Sequence, residues 1–339
     1  MHYLITGHSG FKGSWLSLLL HKRGHRVSGI SLNSEVNSIY KQDKFRKILE
    51  NDIVCDIRDY KNLVNHFNQV NPEIIIHLAA QSLVRESYQD PLTTYETNVM
   101  GTINVLKASQ SLKNLKTQII ITTDKVYKNS NKRTGYIESD PLGGHDPYSS
   151  SKAMADLATQ SWLASFENVP TAIIRAGNVI GGGDKAKDRL IPDLIQSFDL
   201  GQKPYLRSPN AVRPWQFVLD CLNGYLLVVD SLLSGQSSSV WNIGPDYKYM
   251  RTVADVTKLA GQVWGNAAGW ELDSSVQPHE DNFLVLNSDK ARRNLGWKEK
   301  LSFEESVEWT INWYKNVRDG ADLLLETTKN IDKFELINS

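Results

Sequence analysis

The sequence predicts an α/β protein, a Rossmann-type doubly wound parallel sheet with a smaller carboxy-terminal substrate-binding lobe. Three observations carry that prediction. Short apolar runs alternate with stretches of helical spacing through the first half of the chain. The first apolar run leads straight into a glycine-rich turn. Beyond about Gly181 the alternation weakens, and loops rich in Gly, Pro and Trp take over. Strand, helix, strand at this spacing implies right-handed crossovers and a parallel sheet covered on both faces.

Taken in order, residues 3–6 read as a buried strand, 14–23 as the helix after it and 26–31 as the second strand. A third short strand precedes Asp56, and residues 60–69 have helical spacing. Residues 74–78, 118–122 and 171–175 read as further strands, with helices over 95–109 and 149–165. In the second half, 253–264 and 303–314 have helical patterns. This divides the chain into a dinucleotide-binding domain over residues 1–180, to which 213–245 return, and a substrate lobe from 181–212 and 246–320. Residues 321–339 read as a packed arm or a frayed tail.

Composition narrows the function. The 339 residues carry 38 Lys+Arg against 38 Asp+Glu, which argues against a nucleic-acid binder or a surface drawn to anionic lipid. No run approaches the ~18 apolar residues of a spanning helix. The amino terminus is unlike a signal peptide, because Gly7, Gly10, Lys12 and Gly13 interrupt its apolar stretch. Only Cys55 and Cys221 occur, without metal-ligand spacing, so no structural metal or disulfide framework is expected and a reducing, cytoplasmic setting suits the chain.

The glycine-rich turn is Gly7-His8-Ser9-Gly10-Phe11-Lys12-Gly13. Glycines at this spacing let the backbone turn tightly and approach a pyrophosphate at a helix amino terminus. The acid expected after the second strand for a ribose hydroxyl is missing: Ser31 stands there, and the first acid is Glu35. No Arg marks a 2′-phosphate either, so this loop leaves NAD and NADP open. Asp56 either meets the adenine amino group or caps the next helix.

Tyr148 and Lys152 lie four residues apart, so on a helix they share a face and an ammonium can lower the phenol's pKa. Such a phenolate beside a nicotinamide takes a proton from an alcohol as hydride leaves the same carbon. Thr122-Thr123-Asp124-Lys125 closes a strand whose carboxyl end faces the ligand crevice of an open parallel sheet, supplying a hydroxyl, a carboxyl and an amine. A plain turn capped by Thr and Asp is the alternative there.

Longer runs extend these motifs. They are His77-Leu78-Ala79-Ala80-Gln81, Thr97-Asn98-Val99-Met100-Gly101, and Gly143-Gly144-His145-Asp146-Pro147 before Tyr148. Further on come Arg175-Ala176-Gly177-Asn178 through Asp184, Asp188-Arg189-Leu190-Ile191-Pro192, and Arg213-Pro214-Trp215-Gln216. Together they resemble the extended short-chain dehydrogenase/reductase superfamily and, within it, the nucleotide-sugar 4,6-dehydratases, over roughly residues 3–318.

The resemblance implies NAD, held by Gly7, Ser9, Gly10, Phe11, Lys12, Gly13, Ser31, Asp56, Ile57, Leu78, Ala79, Ala80, Asn98, Tyr148 and Lys152. It implies that Tyr148 removes the 4-hydroxyl proton of the sugar as hydride leaves carbon 4. Water then leaves across carbons 5 and 6, and the hydride returns to carbon 6. In that reading Thr123 bonds the 4-oxygen, Asp124 is the acid for the 6-hydroxyl, and Lys125 is the base at carbon 5. Relatives acting on dTDP-glucose carry Glu at the position of Lys125, so lysine points to the branch acting on CDP-glucose. Gln81, Ser82, Asn178, Arg189, Leu190, Arg213 and His279, with Glu280 beside it, are the implied substrate residues. A homodimer or homotetramer, and a place in deoxysugar synthesis such as that of lipopolysaccharide O-antigen, are implied too. Phe217 stands where the family pattern has His. A 4-epimerase or reductase on the same scaffold is the second reading, and the acid/base pair Asp124-Lys125, which epimerisation does not need, weighs against it. A non-catalytic dinucleotide-binding regulator is the third, and it has no need of Tyr148 and Lys152.

Overall fold

The computed structural model describes residues 1–33, 39–166, 169–237, 239–246, 250–266, 269–275 and 281–337. The chain begins β1 (His2–Thr6), α1 (Phe11–Lys22), β2 (Arg26–Ser31), α2 (Asp43–Arg46), β3 (Asn51–Val54), α3 (Tyr60–Val70) and β4 (Ile74–His77). Next come α4 (Val84–Gln89), α5 (Pro91–Tyr95), a π-helical turn over Glu96–Met100, α6 (Gly101–Ser109), β5 (Thr117–Ile121), α7 (Pro147–Ser165) and β6 (Thr171–Ala176). Then follow β7 (Val179–Ile180), α8 (Leu190–Asp199), β8 (Tyr205–Leu206), β9 (Val212–Arg213), β10 (Gln216–Phe217), α9 (Val218–Leu233) and β11 (Ser239–Ile243). The chain closes with β12 (Arg251–Thr252), α10 (Val253–Trp264), β13 (Glu271–Leu272), α11 (Asp289–Leu295), α12 (Phe303–Arg318) and α13 (Leu323–Leu336).

Seven strands form one sheet in the order β11-β6-β5-β4-β1-β2-β3, and every pairing in it is parallel. This is the doubly wound Rossmann arrangement that the alternation predicts. Strand residues divide by parity between two cores, because successive side chains point to opposite faces. Tyr3, Ile5, Ile74 and Ile76 pack with Trp15, Leu19 and Leu222 on one face. Leu4 and Ile75 pack with Leu63, Phe67 and Val105 on the other. Each such fully buried side chain contributes about 1.5–3 kcal/mol of hydrophobic stabilisation. The first of these cores continues without a break into Val256, Trp264, Trp313 and Phe334 of the carboxy-terminal helices.

Two elements differ from the sequence reading. The helix expected over 95–109 is three pieces, with the π turn inserting an extra residue between α5 and α6. Gly101 after the turn lies against Ile57, where an added Cβ would sit 2.5 Å from the Ile57 side chain. The helix expected from 149 starts at Pro147, with Asp146 as its cap accepting from the Ser149 amide.

Candidate active site

The carboxyl ends of β1, β4, β5 and β6 open into one cleft of about 1170 Å³. Gly7 at the head of the turn has φ 79°, and a Cβ there would lie 2.7 Å from the Ala79 nitrogen. At Gly13 a Cβ would lie 2.2 Å from the Gly7 oxygen, so both positions require glycine. Gly10 is the cap residue of α1, with no side-chain cap bond and no acid in the first turn. The first amides of α1 therefore face the cleft as an anion-binding end. This cradle fits a dinucleotide pyrophosphate. Ser9, Phe11, Lys12, Asp56, Ile57, Leu78 and Ala80 line the same cleft, as does Ser31, whose buried hydroxyl has no hydrogen-bond partner among the described residues.

A relay behind this wall fixes the turn. The Ala79 amide donates to Thr6 Oγ1 (3.3 Å), which lies 2.6 Å from His77 Nδ1. His77 Nε2 is 3.0 Å from Thr102 Oγ1, whose proton goes to the Asn98 carbonyl. The pattern assigns a neutral imidazole with its proton on Nε2. Burial, with Lys152 nearby, pushes the His77 pKa down to about 3.

Thr123 caps the single 3₁₀ turn Asp124–Val126 that follows β5. Its hydroxyl donates to Asp124 Oδ1 (3.0 Å), while the buried Oδ2 of Asp124 has no partner among the described residues. Burial raises the Asp124 pKa, against the lowering pull of Lys125 and Arg213. From α7, Tyr148 and Lys152 reach the same cleft as Thr123, Asp124 and Lys125. Ser149, Ser151, Ala153 and Ala155 are small buried residues on two sides of α7, which lets neighbouring elements approach it closely. The phenol differs from the sequence expectation. Burial drives the Tyr148 pKa up to about 12 and outweighs its hydrogen bond with Thr123. Lys152 donates instead to the Ile121 carbonyl (2.8 Å), and burial together with Lys12 lowers its pKa to about 7.

On the substrate side, Gln81, Ser82, Asn178, Arg189, Leu190 and Arg213 all line the cleft. Arg189 donates to Ser82 Oγ (2.9 Å) and pairs with Asp184 (3.1 Å). Two positions need correction. Asn98 is absent from the wall: its amide oxygen accepts from the Gln81 amide, and its nitrogen donates to the Gln81 carbonyl and Ser151 Oγ, so it braces the loop from behind. Asp56 does not cap α3, because Asp59 does, and Asp56 instead holds Arg58 at 2.7 Å. Phe217 is buried between Trp15 and Trp309 and does not reach the cleft. His279, Glu280 and Glu35 lie outside the described residues. Sequence reasoning missed Arg85, Arg207 and Trp215, which also line the cleft, Trp215 with a buried indole N–H that has no partner among the described residues. Only the Arg-Pro-Trp-Gln run pointed to one of them.

Comparison with known proteins agrees with this geometry. CDP-glucose 4,6-dehydratase of Salmonella typhimurium is 41% identical over 97% of this chain and 95% of its own length. A UDP-glucose 4-epimerase structure from Thermotoga maritima superposes with a TM-score of 0.84 at 22% identity, covering 94% of this chain and 100% of that one. A dTDP-glucose 4,6-dehydratase from Streptomyces venezuelae, solved with NAD bound, superposes with a TM-score of 0.81 at 24% identity, covering 96% and 100%. The two structures share the fold. The GDP-mannose 4,6 dehydratase family matches residues 4–310, from the first strand of the glycine turn to the penultimate helix, and the chain belongs to that family.

Proposed function

We propose that this protein is a nucleotide-sugar 4,6-dehydratase that converts CDP-glucose to CDP-4-keto-6-deoxyglucose and water with NAD as a recycled cofactor. The observation that carries the reading is the meeting of Thr123, Asp124, Lys125, Tyr148 and Lys152 with the glycine cradle in one cleft. The identity to the Salmonella typhimurium CDP-glucose enzyme supports the sugar nucleotide. Bound NAD supplies the acceptor for the hydride of carbon 4 and the donor for carbon 6.

The chain's own groups account for the protons. Tyr148 takes the 4-hydroxyl proton, and Thr123, bonded to Asp124, holds the 4-oxygen. Lys125 removes the carbon 5 proton and later returns it. Asp124, whose pKa burial raises, gives its proton to the departing 6-hydroxyl. The proton that Tyr148 gains balances the one that Asp124 loses, so the products are the keto sugar and one water. Arg213, Arg189 and Asn178 meet the diphosphate, a task suited to the guanidinium fork.

In this reading residues 1–180 and 213–245 hold the cofactor, supported by the pairing of β11 with β6. Residues 181–212 and 246–320 hold the sugar nucleotide, and 321–339 form an arm whose Ile331 and Phe334 are buried. The protein works as a homodimer or homotetramer, supported by the exposed apolar side chains Met154 and Leu157 on α7 and Leu92 and Met100 beside it. It works in the cytoplasm on a route to a deoxysugar of the O-antigen kind, supported by two buried free cysteines. No helix among the described residues is long and apolar enough to cross a membrane.

Incubation with NAD and, separately, CDP-, dTDP-, GDP- and UDP-hexoses, read by mass spectrometry, tests the function. Loss of one water from CDP-glucose without net NADH is expected. Loss from another sugar nucleotide alone would remove the CDP assignment, and an isomerised sugar of unchanged mass would replace dehydration by epimerisation.

A further inference from the structure

Lys12 occupies an unfavourable place for a cation. It is the second residue of α1, where the helix dipole is positive and repels an ammonium. Its Nζ is buried, which lowers its pKa, and among the described residues no carboxylate forms a salt bridge with it. What holds it is a phenol: Nζ donates to Tyr225 Oη at 3.0 Å and stands 5.5 Å from the centre of that ring. Tyr225 and its hydrogen-bonding neighbour Cys221 are fully buried on α9. The other charged groups that bear on Lys12 are Arg189 and Asp124, and Lys12 in turn bears on Lys152. Lys12, Arg189, Asp124, Lys152 and Tyr148 all line one cleft. A tether between α1 and α9 alone needs no charge, since apolar packing between two helices holds them as well.

We propose that Lys12 is a working cation of the hydride step: held on Tyr225 in the wall shared with Lys152, it biases the bound dinucleotide toward its reduced form. The inference rests on the reading that this cleft holds NAD. When the carbon 4–hydrogen bond breaks, two electrons and the hydrogen pass to the cofactor, the carbon becomes a carbonyl and the 4-hydroxyl proton goes to Tyr148. The pocket thereby loses the one positive charge of the oxidised ring. A fixed cation favours that loss wherever the ring lies in the cleft, because the sign of a Coulomb interaction does not depend on distance. For charges ~10 Å apart at an effective dielectric constant of ~20, the bias is roughly tenfold in an equilibrium constant. The same cation also resists return of the hydride to carbon 6, so its effect falls on the balance between the two half-reactions and not on the overall equilibrium.

The test compares the dissociation constants of NAD and NADH, measured by calorimetry on intact protein for the unmodified chain, Lys12→Met, Lys12→Arg and Tyr225→Phe. Lys12→Met should weaken NADH relative to NAD by about tenfold, and Lys12→Arg, which keeps the charge, should restore much of the ratio. Tyr225→Phe removes the acceptor that holds the ammonium and should move the ratio the same way by less, which keeps the inference testable if Lys12→Met fails to fold. A structural tether predicts equal weakening of both forms, and an unchanged ratio in Lys12→Met and Tyr225→Phe overturns the inference while leaving the cofactor assignment intact. Failure of the unmodified protein to bind either dinucleotide overturns both.

Discussion

Replacing Asp156 by Asn tests what holds the Tyr148–Lys152 helix in place. Asp156 lies one turn beyond Lys152 and is fully buried, and its partner Arg175 on β6 is 1% exposed. The guanidinium donates to both carboxylate oxygens, Nε to Oδ2 at 2.8 Å and Nη2 to Oδ1 at 2.9 Å, and through Nη1 to Tyr127 Oη and the Glu138 carbonyl. Asn preserves the shape but leaves a buried guanidinium without its counter-charge, a change that costs about 3–5 kcal/mol. Against the ~5–15 kcal/mol of a typical domain, that is a large share of the whole stability. Urea unfolding followed by circular dichroism should show a midpoint drop of roughly 1–2 M, taking a slope of ~3 kcal/mol per molar. The double variant Asp156→Leu with Arg175→Met removes both charges and should lose less than the single one. The pair also reaches the chemistry, because Asp156 raises the Lys152 pKa toward the value of about 7 that burial and Lys12 leave it. In Asp156→Asn the Lys152 titration should therefore move to lower pH. A stability loss below ~1 kcal/mol, or a double variant weaker than the single, would refute the claim that an uncompensated charge is what the mutation creates.

Asp124→Asn combined with Lys125→Met should leave oxidation at carbon 4 intact and slow dehydration by at least ~10²-fold, so reduced-nicotinamide absorbance should build up in a single turnover; dehydration at the unmodified rate would remove both assignments. Gly13→Ala places a Cβ 2.2 Å from the Gly7 oxygen, and calorimetry should show NAD affinity falling by about tenfold or more as the turn opens; unaltered binding would mean that the cradle is not where the pyrophosphate sits. His77 carries a pH signature. Its folded pKa of about 3 lies below the ordinary 6.5, so the neutral ring stabilises the fold above pH ~6.5 and that contribution fades as pH falls toward ~3. The unfolding free energies of the unmodified chain and His77→Gln should accordingly converge by about 2–3 kcal/mol between pH 6.5 and 4.5, and a pH-independent gap would contradict the relay through Thr6 and Thr102.

Much of the cofactor half was legible because its signals are local. A strand such as Ile74–His77, buried on both faces, reads as an unbroken apolar run, and the glycines of the first turn are demanded by contacts within a few residues or with the adjacent strand. The helix of Tyr148 could be read from its spacing, and its start from Asp146 and Pro147 once the cap is considered. The π turn at Glu96–Met100 could not, since it depends on Asn98 reaching Gln81 and Ser151, residues distant in sequence. Trp215 and Arg207 were missed for a similar reason: β8, β9 and β10 are two residues each, too short for any period to show, yet the segments beside them line the substrate side of the cleft. Phe217 departs from the family pattern, and its ring faces Trp15 and Trp309 in the core, so the departure changes packing and leaves the cleft wall alone.

The ionisable groups share a pattern that spacing alone does not reveal. Burial pushes the Tyr148 and Asp124 pKa values up and that of Lys152 down, each toward its neutral form. A tyrosine and a lysine four residues apart suggest an ion-like pair, but here the lysine answers to the Ile121 carbonyl and a second lysine, and the phenol to Thr123. Neutral forms suit the chemistry unequally. A protonated Asp124 is ready to act as an acid, whereas a protonated Tyr148 must give up its proton before it can act as a base. On the proposed assignment a shift toward the protonated form suits Asp124 as the acid and opposes Tyr148 as the base, so burial alone does not set both groups for the reaction.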